Sequence, residues 1–292
     1  MIPGQFEYVR PGSLDEALRI LKDREGEAKV LSGGYSLLPL LKLRLAQPGL
    51  LVDLQGVGGL DGIARTDDDW RIGGRATHRR ILEHDALAAE WPIIHDAAGG
   101  IGDPQVRNWG TIGGSCAHAD PGSDWPAVVL AMRGSFTCRS AAGERTLAAR
   151  GFFVDTFQTS IDPTEVLTEV RLPHAQARTG SAYVKLERRA GDFATVGVGA
   201  VLALGGDGRI AAAGIGLTAV AETPFAATDA EAALTGGEPS ESVFRAAGAA
   251  AAAQSRPVSD GHGPAEYKQA MVHELTVRAL RLAASRAQGA AS

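Results

Sequence analysis

Apolar residues fall at helical spacing near the start of the chain, at Leu14, Ala17, Leu18 and Leu21. They follow Ser13-Leu14-Asp15-Glu16, a capping box in which the Ser13 hydroxyl accepts from the Glu16 N–H while Glu16 reaches back. A helix over about 14–23 is predicted. Two short apolar runs, 28–31 and 50–54, read as strands, with a helix over 37–45 between them, so residues 1–55 make a small lobe of β-α units. From Gly56 the pattern shortens. Residues 70–74 read as a strand, Thr77 as the cap of a helix beginning near His78, and Pro92 as the first turn of a helix running toward Ala98. Residues 127–132 read as a short helix, and 135–139 and 165–172 as strands, the second stopped by Pro173. The run 102–109 carries no pattern of its own.

Residues 173–180 are polar and turn-rich, which places a domain boundary there and divides the chain into 1–176 and 177–292. The first part splits again into the small lobe and a larger lobe, 56–176. Beyond the boundary, strand-like runs cover 182–188, 195–204 and 209–217, with Gly206-Asp207-Gly208 as the turn between the last two. Helical stretches at 229–234, 240–253 and 264–287 close the chain. Strands followed by helices make an α+β unit. The expected architecture is a two-lobed α+β domain, a small β-α lobe plus a larger α+β lobe, followed by a smaller α+β domain with an antiparallel sheet and helices.

Composition narrows the class without naming it. With 45% hydrophobic and 22% charged residues the sequence is that of an ordinary globular protein with a sizeable core. A net charge of −5 gives no electrostatic case for nucleic acid. The N-terminal segment lacks a basic start followed by an apolar stretch, and no apolar run nears the roughly 20 residues that span a bilayer. The expected location is the cytoplasm, with peripheral attachment at the inner membrane face left open. Cys116 and Cys138 are the only cysteines, so the chain cannot supply the four thiolates of an iron–sulfur cluster and both read as plain buried thiols.

Candidate chemistry concentrates in two glycine loops. Ser32-Gly33-Gly34-Tyr35-Ser36 lies between a strand and a helix, the order in which backbone N–H groups are presented to phosphate. The second, Thr111-Ile112-Gly113-Gly114-Ser115, leads through a turn-rich run containing Asp120 and Asp124 to Trp125 and Pro126. Its paired glycines allow close approach of a ligand and φ > 0. Neither loop fits the G-x-G-x-x-G or Walker pattern. His78, His84 and His95 read as surface or capping residues; His118, inside the second loop, either touches a ligand or packs the loop. Asp67-Asp68-Asp69 reads as a solvated turn. No nucleophile elbow is present.

Together the two loops resemble the A-G-G-H-S and T-I-G-G-N loops of the FAD-binding medium subunits of molybdenum hydroxylases, and the resemblance runs over almost the whole chain. It implies a PCMH-type FAD-binding domain whose loops, Ser32, Gly33, Gly34, Tyr35, Ser36 and Thr111, Ile112, Gly113, Gly114, Ser115, hold FAD. Tyr35 stands where the family commonly has histidine and Ser115 where it commonly has asparagine, which leaves backbone donation untouched. The run Lys185-Leu186-Glu187-Arg188 with Gly191-Asp192-Phe193-Ala194 is similar to the family's K-x-x-R…G-D-[YF]-A segment. By that resemblance Lys185 lies at the flavin, favouring an anionic reduced ring, and Phe193 falls near the isoalloxazine. Read without it, Lys185 is an outward-facing strand charge. Asp124 matches an aspartate that bonds the cofactor, and Leu167 a residue whose backbone contacts it.

Several segments, among them Gly102-Asp103-Pro104-Gln105 and Ser259-Asp260-Gly261-His262, are most similar to medium subunits of aerobic, molybdenum-containing carbon monoxide dehydrogenases. The resemblance then implies an electron-transfer subunit with no catalytic or metal-binding residue of its own. A large subunit with a molybdenum–copper cofactor would oxidise CO with water, and a small subunit with two [2Fe-2S] clusters would relay electrons to non-covalently held FAD and on to a quinone or similar acceptor. The complex would be a dimer of heterotrimers. A medium subunit of a xanthine, nicotinate or other N-heterocycle dehydrogenase, and a stand-alone nucleotide-binding module, remain alternatives.

Overall fold

The computed structural model describes residues 2–289. The small lobe holds β1 (Glu7–Val9), α1 (Leu14–Asp23), β2 (Ala28–Leu31), α2 (Leu37–Lys42) and β3 (Leu50–Asp53), with the strands in the order β1-β3-β2 and both pairings parallel. Helix α1 starts where the capping box says it should, Ser13 Oγ accepting from Glu16 N–H at 3.2 Å, but Glu16 reaches the Gly12 N–H at 2.9 Å rather than that of Ser13. Its Ala17, Leu18 and Leu21 are buried against Leu50 and Val52. Each such leucine contributes about 2 kcal/mol by its burial. Strand β1 escapes the sequence pattern because it has three residues, none of them buried.

The larger lobe contains β4 (Ile63–Arg65), β5 (Asp69–Gly73), α3 (His78–Leu82), α4 (Asp85–Glu90), α5 (Pro92–Gly99), α6 (Pro104–Trp109), α7 (Ile112–His118), α8 (Asp124–Ala131), β6 (Ser135–Ser140), β7 (Gly143–Ala148), β8 (Phe153–Asp155), β9 (Gln158–Thr159) and β10 (Val166–Pro173). Five of these strands form an antiparallel sheet in the order β4-β5-β10-β6-β7. Within 102–109, to which the sequence pattern assigns no element, Pro104–Trp109 form α6, capped by Asp103 Oδ1 on the Val106 N–H at 2.8 Å with Pro104 in its first turn. Asp69 is a correction to the solvated-turn reading of 67–69. It is buried and bonded by Arg171, Arg71 and Thr66, and although burial works against its charge, those bonds hold its pKa below the ordinary value.

After a connection at 174–178 come β11 (Thr179–Leu186), β12 (Val196–Leu204), β13 (Ile210–Thr218) and β14 (Phe225–Ala226), an antiparallel sheet in that order, then α9 (Thr228–Leu234), α10 (Glu241–Gln254) and α11 (Ala265–Ala287). One face of this sheet, with Val198, Ala200, Leu202, Ile215 and Leu217, packs on the three helices. The other face receives α8, every residue of which is buried. Gly199, Gly214 and Gly216 line that face, and a Cβ at Gly214 or Gly216 would collide with the carbonyl oxygen of Ala131 or Ala127. Backbone thus meets backbone, and the larger lobe and the C-terminal sheet share one interface.

Two predictions follow from these contacts. Gly216→Ala puts a methyl group into the Ala127 carbonyl, so α8 must lift off the sheet; overpacking of this kind costs about 1–3 kcal/mol, and thermal unfolding should show a clear fall in Tm. An unchanged Tm would mean that α8 is not seated as described.

The second concerns His174, in the connection, whose Nδ1 and Nε2 lie 2.9 Å from Glu90 Oε1 and from the Thr66 carbonyl oxygen. Both partners accept, so both ring nitrogens donate and the ring is cationic, its pKa raised first by the bond to Glu90. Burial opposes the Glu90 charge, but its bonds bring its pKa down to about 2. Since the folded-state pKa of His174 lies above 6.5, its contribution is complete below that value and fades as pH rises through the folded pKa. Urea unfolding from about pH 6 to about pH 9 should show falling stability, with the fall reduced in His174→Gln.

Candidate functional site

The two glycine loops lie 79 residues apart in sequence and touch: Ser32 Oγ and Thr111 Oγ1 are 3.0 Å apart. Gly33 makes this possible, because a Cβ there would run into the Trp109 carbonyl. Beside it, Gly34 has φ +86°, a conformation that favours glycine. Among the described residues, the N–H groups of Gly33, Gly34, Tyr35, Ser36 and Leu37 donate no hydrogen bond. Five consecutive donors are therefore open at the turn into α2, with the Tyr35 side chain exposed beside them. Such a run suits an anion.

The second loop differs from its sequence expectation. Residues 112–118 are the helix α7, Gly113 and Gly114 sit in its first turn without positive φ, and Thr111 Oγ1 caps it by accepting from Gly114 N–H at 3.1 Å. The N–H groups of Ile112, Gly113 and Ser115 donate to the carbonyls of Ala76, Gly74 and Thr111 at 3.0–3.1 Å. These donors are committed, and the Ile112 side chain is wholly buried. Gly113 is required by packing: a Cβ would stand 2.5 Å from the Gly74 oxygen, and Gly74 in turn lies against the Leu167 carbonyl. Leu167 thereby supports the second loop from below.

Where the loops meet, a cleft of about 260 Å3 is lined by Arg10, Ser32, Gln55, Arg75, Thr77, Asn108, Trp109 and Thr111. Arg10 and Arg75 make it a place for negative charge. No sequence motif marks either arginine, and only the approach of the lobes brings them together.

A second centre surrounds Asp124, the first residue of α8. Its Oδ1 accepts from the Tyr183 hydroxyl at 2.6 Å and its Oδ2 from Lys185 Nζ at 3.3 Å; the same ammonium donates to the Gly100 carbonyl at 3.0 Å. Burial pushes the Asp124 carboxyl up, opposed by Lys185 and Tyr183, and pushes the Tyr183 phenol well above its ordinary value. The Lys185 side chain is only 8% exposed, so the outward-facing reading is wrong. Phe193 is exposed and lies beside Gly122, two residues before Asp124. The centre is joined to the second loop by Ser115 Oγ, which donates to Ser123 Oγ at 3.4 Å.

Sequence reasoning missed Tyr183 and Arg107. Tyr183 precedes Lys185 by two on β11 and so shares its face; a Cβ on Gly197 would strike its hydroxyl. Arg107 donates to the carbonyls of Ile101 and Gly102 at 3.0 and 2.9 Å, holding the loop whose Gly100 receives Lys185. His78 is corrected from the surface to the core, where burial lowers its pKa to about 4 and its Nδ1 accepts from Trp125 Nε1 at 3.0 Å. His84 does cap α4, and His118 stacks on Phe157 with ring centroids 5.1 Å apart. Cys116 and Cys138 are free and buried, and burial raises Cys138 to about 12.

Comparison with known proteins agrees with this architecture. Residues 4–175 match the family "FAD binding domain in molybdopterin dehydrogenase" and residues 181–283 the "CO dehydrogenase flavoprotein C-terminal domain". The chain is 41% identical to the carbon monoxide dehydrogenase medium chain of Afipia carboxidovorans, over 99% of this chain and 100% of that one. It is 36% identical to the 6-hydroxypseudooxynicotine dehydrogenase complex subunit alpha of Paenarthrobacter nicotinovorans, over 99% and 97%. A structure of reconstituted CO dehydrogenase from Oligotropha carboxidovorans superposes with a TM-score of 0.95 at 41% identity, covering 98% of this chain and 100% of that one. Full-length identity, both family matches and the superposition agree: the chain belongs to the FAD-binding medium subunits of the molybdenum hydroxylases.

Proposed function

We propose that this chain is the flavoprotein subunit of an aerobic carbon monoxide dehydrogenase, holding FAD non-covalently. The observation that carries the reading is the run of open N–H donors at 33–37 beside the basic cleft, in a chain 41% identical over its length to a carbon monoxide dehydrogenase medium chain. Those donors would hold the pyrophosphate, with Arg10 and Arg75 adding charge. The second loop, Thr111 to Ser115, would shape the wall opposite through Thr111 and Ser115 and the backbone surface at Gly113 and Gly114, backed by Leu167. Asp124 and Lys185 would orient the flavin end, with Phe193 covering it. Lys185 would act there mainly through its field, because its ammonium is already bonded within the protein. Bound FAD supplies storage for two electrons.

In this reading the oxidation of CO by water takes place on a large molybdenum–copper subunit, and a small subunit carrying two [2Fe-2S] clusters delivers the electrons. The six-chain assembly, a quinone acceptor and a cytoplasmic site with peripheral membrane attachment belong to the same proposal. None of the described helices is long and apolar enough to cross a membrane. A second reading keeps the flavin and changes the substrate to an N-heterocycle, which the likeness to the 6-hydroxypseudooxynicotine dehydrogenase subunit favours.

The isolated chain, loaded with FAD and mixed anaerobically with CO, should keep its oxidised flavin spectrum. Addition of the co-purified small and large subunits should bleach it. Bleaching by CO without partners would overturn the electron-carrier role, and bleaching of the full complex by an N-heterocycle but not by CO would establish the second reading.

A further inference from the structure

The segments 102–107, in the larger lobe, and 259–267, leading into α11, both reach the loop 187–194 that joins β11 to β12 and carries Phe193. Thr195 N–H closes the base of this loop by donating to the Leu186 carbonyl at 2.7 Å. More than half of Phe193 is exposed, so burial alone does not fix its place beside Gly122. Its position depends on what ties the loop down.

One tie runs through Gly191. This residue has φ +88°, and a Cβ on it would stand 2.8 Å from the Gly102 carbonyl oxygen, so loop backbone rests on turn backbone. Arg107 holds that turn, its Nη1 donating to the carbonyls of Ile101 and Gly102 at 3.0 and 2.9 Å. The other tie is Arg188, whose Nη1 donates to the Gly261 carbonyl at 3.0 Å. Gly261 sits in a turn closed by two bonds between Asp260 and Gly263, at 3.1 and 3.2 Å.

Lys268, on α11, fixes this second turn. Its ammonium pairs with Asp260 Oδ2 at 2.7 Å and donates to the Val258 carbonyl at 3.0 Å, while Ser259 Oγ accepts from Ala265 N–H at 2.9 Å. The Lys268 side chain is only 3% exposed, and a buried ammonium requires such partners. The loop is therefore anchored twice, to the larger lobe through Arg107 and to the C-terminal helices through Arg188 and Lys268.

We propose that Arg107, Arg188 and Lys268 are positioning residues for the flavin: they tie the 187–194 loop to two turns and thereby hold Phe193 over the flavin end. This rests on the FAD site described above. None of the three needs to touch the cofactor, since each acts through the place it gives to Phe193.

Iodide quenching of flavin fluorescence in the FAD-loaded full chain, together with amide hydrogen exchange, tests this. Arg188→Ala, at an exposed side chain, and Lys268→Met should each raise the quenching constant toward that of Phe193→Ala. Both should speed exchange across 187–194 and leave β6 and β7 unchanged. In the Phe193→Ala background neither substitution should raise quenching further, because both act through that ring. Wild-type quenching in both single variants, or rises that add in full to that of Phe193→Ala, would overturn the proposal. A wild-type chain that binds no FAD, or a Phe193→Ala variant with unchanged quenching, would overturn the site reading, and the proposal would fall with it.

Discussion

The seating of α8 on a glycine-lined sheet is the constraint on which the rest of the molecule depends. Because Gly199, Gly214 and Gly216 have no side chains, the helix backbone at Ala127 and Ala131 rests directly on β12 and β13. The turn ahead of α8 is tied to the same sheet, Thr218 Oγ1 lying 2.6 and 2.8 Å from the Pro121 and Ser123 carbonyl oxygens and donating its one proton between them. Asp124 therefore starts its helix at a fixed place relative to Tyr183 and Lys185 on β11. The buried carboxylate of Glu231 adds a second lock from the C-terminal part, receiving Arg133 at 3.1 Å and Arg150 at 3.0 Å from the larger lobe.

Glycines at the two loops answer different demands. Gly34 is needed for its positive-φ backbone conformation, whereas Gly113 is needed because α7 lies against the Gly74 backbone. Two glycines in a first helical turn are poor helix formers, each about 1 kcal/mol worse than alanine. Close approach to Gly74 and the Thr111 cap offset that weakness. The division has a functional consequence: the first loop has hydrogen bonds to offer, and the second contributes shape and two hydroxyls.

Elements with strong local chemistry were legible in the sequence. The capping box of α1, the Thr77 cap of α3, Pro92 at the start of α5 and the turn at 206–208 all specify their structures locally. The α+β class followed from the order of strands and helices. What stayed hidden depends on contacts distant in sequence. Nothing near His78 says that Trp125 will donate to it, and nothing near Asp69 announces Arg171. The glycine alternation of β12 and β13 was visible, but its meaning required knowing which helix would land there. For the site, resemblance supplied Lys185 and Asp124, while Tyr183 and the basic cleft emerged only from the packing of separate segments.

The open N–H run at Gly33 to Leu37 is the proposed grip on the pyrophosphate of FAD. Titration of FAD into the flavin-free chain, followed by flavin fluorescence, tests it in Gly34→Val against wild type and Gly34→Asn. Valine resists φ > 0 and should displace the donors, weakening binding about 100-fold, about 2.8 kcal/mol, while asparagine, which tolerates that region, should retain most of the affinity. Equal affinity in all three proteins, with unchanged thermal unfolding, would contradict the claim.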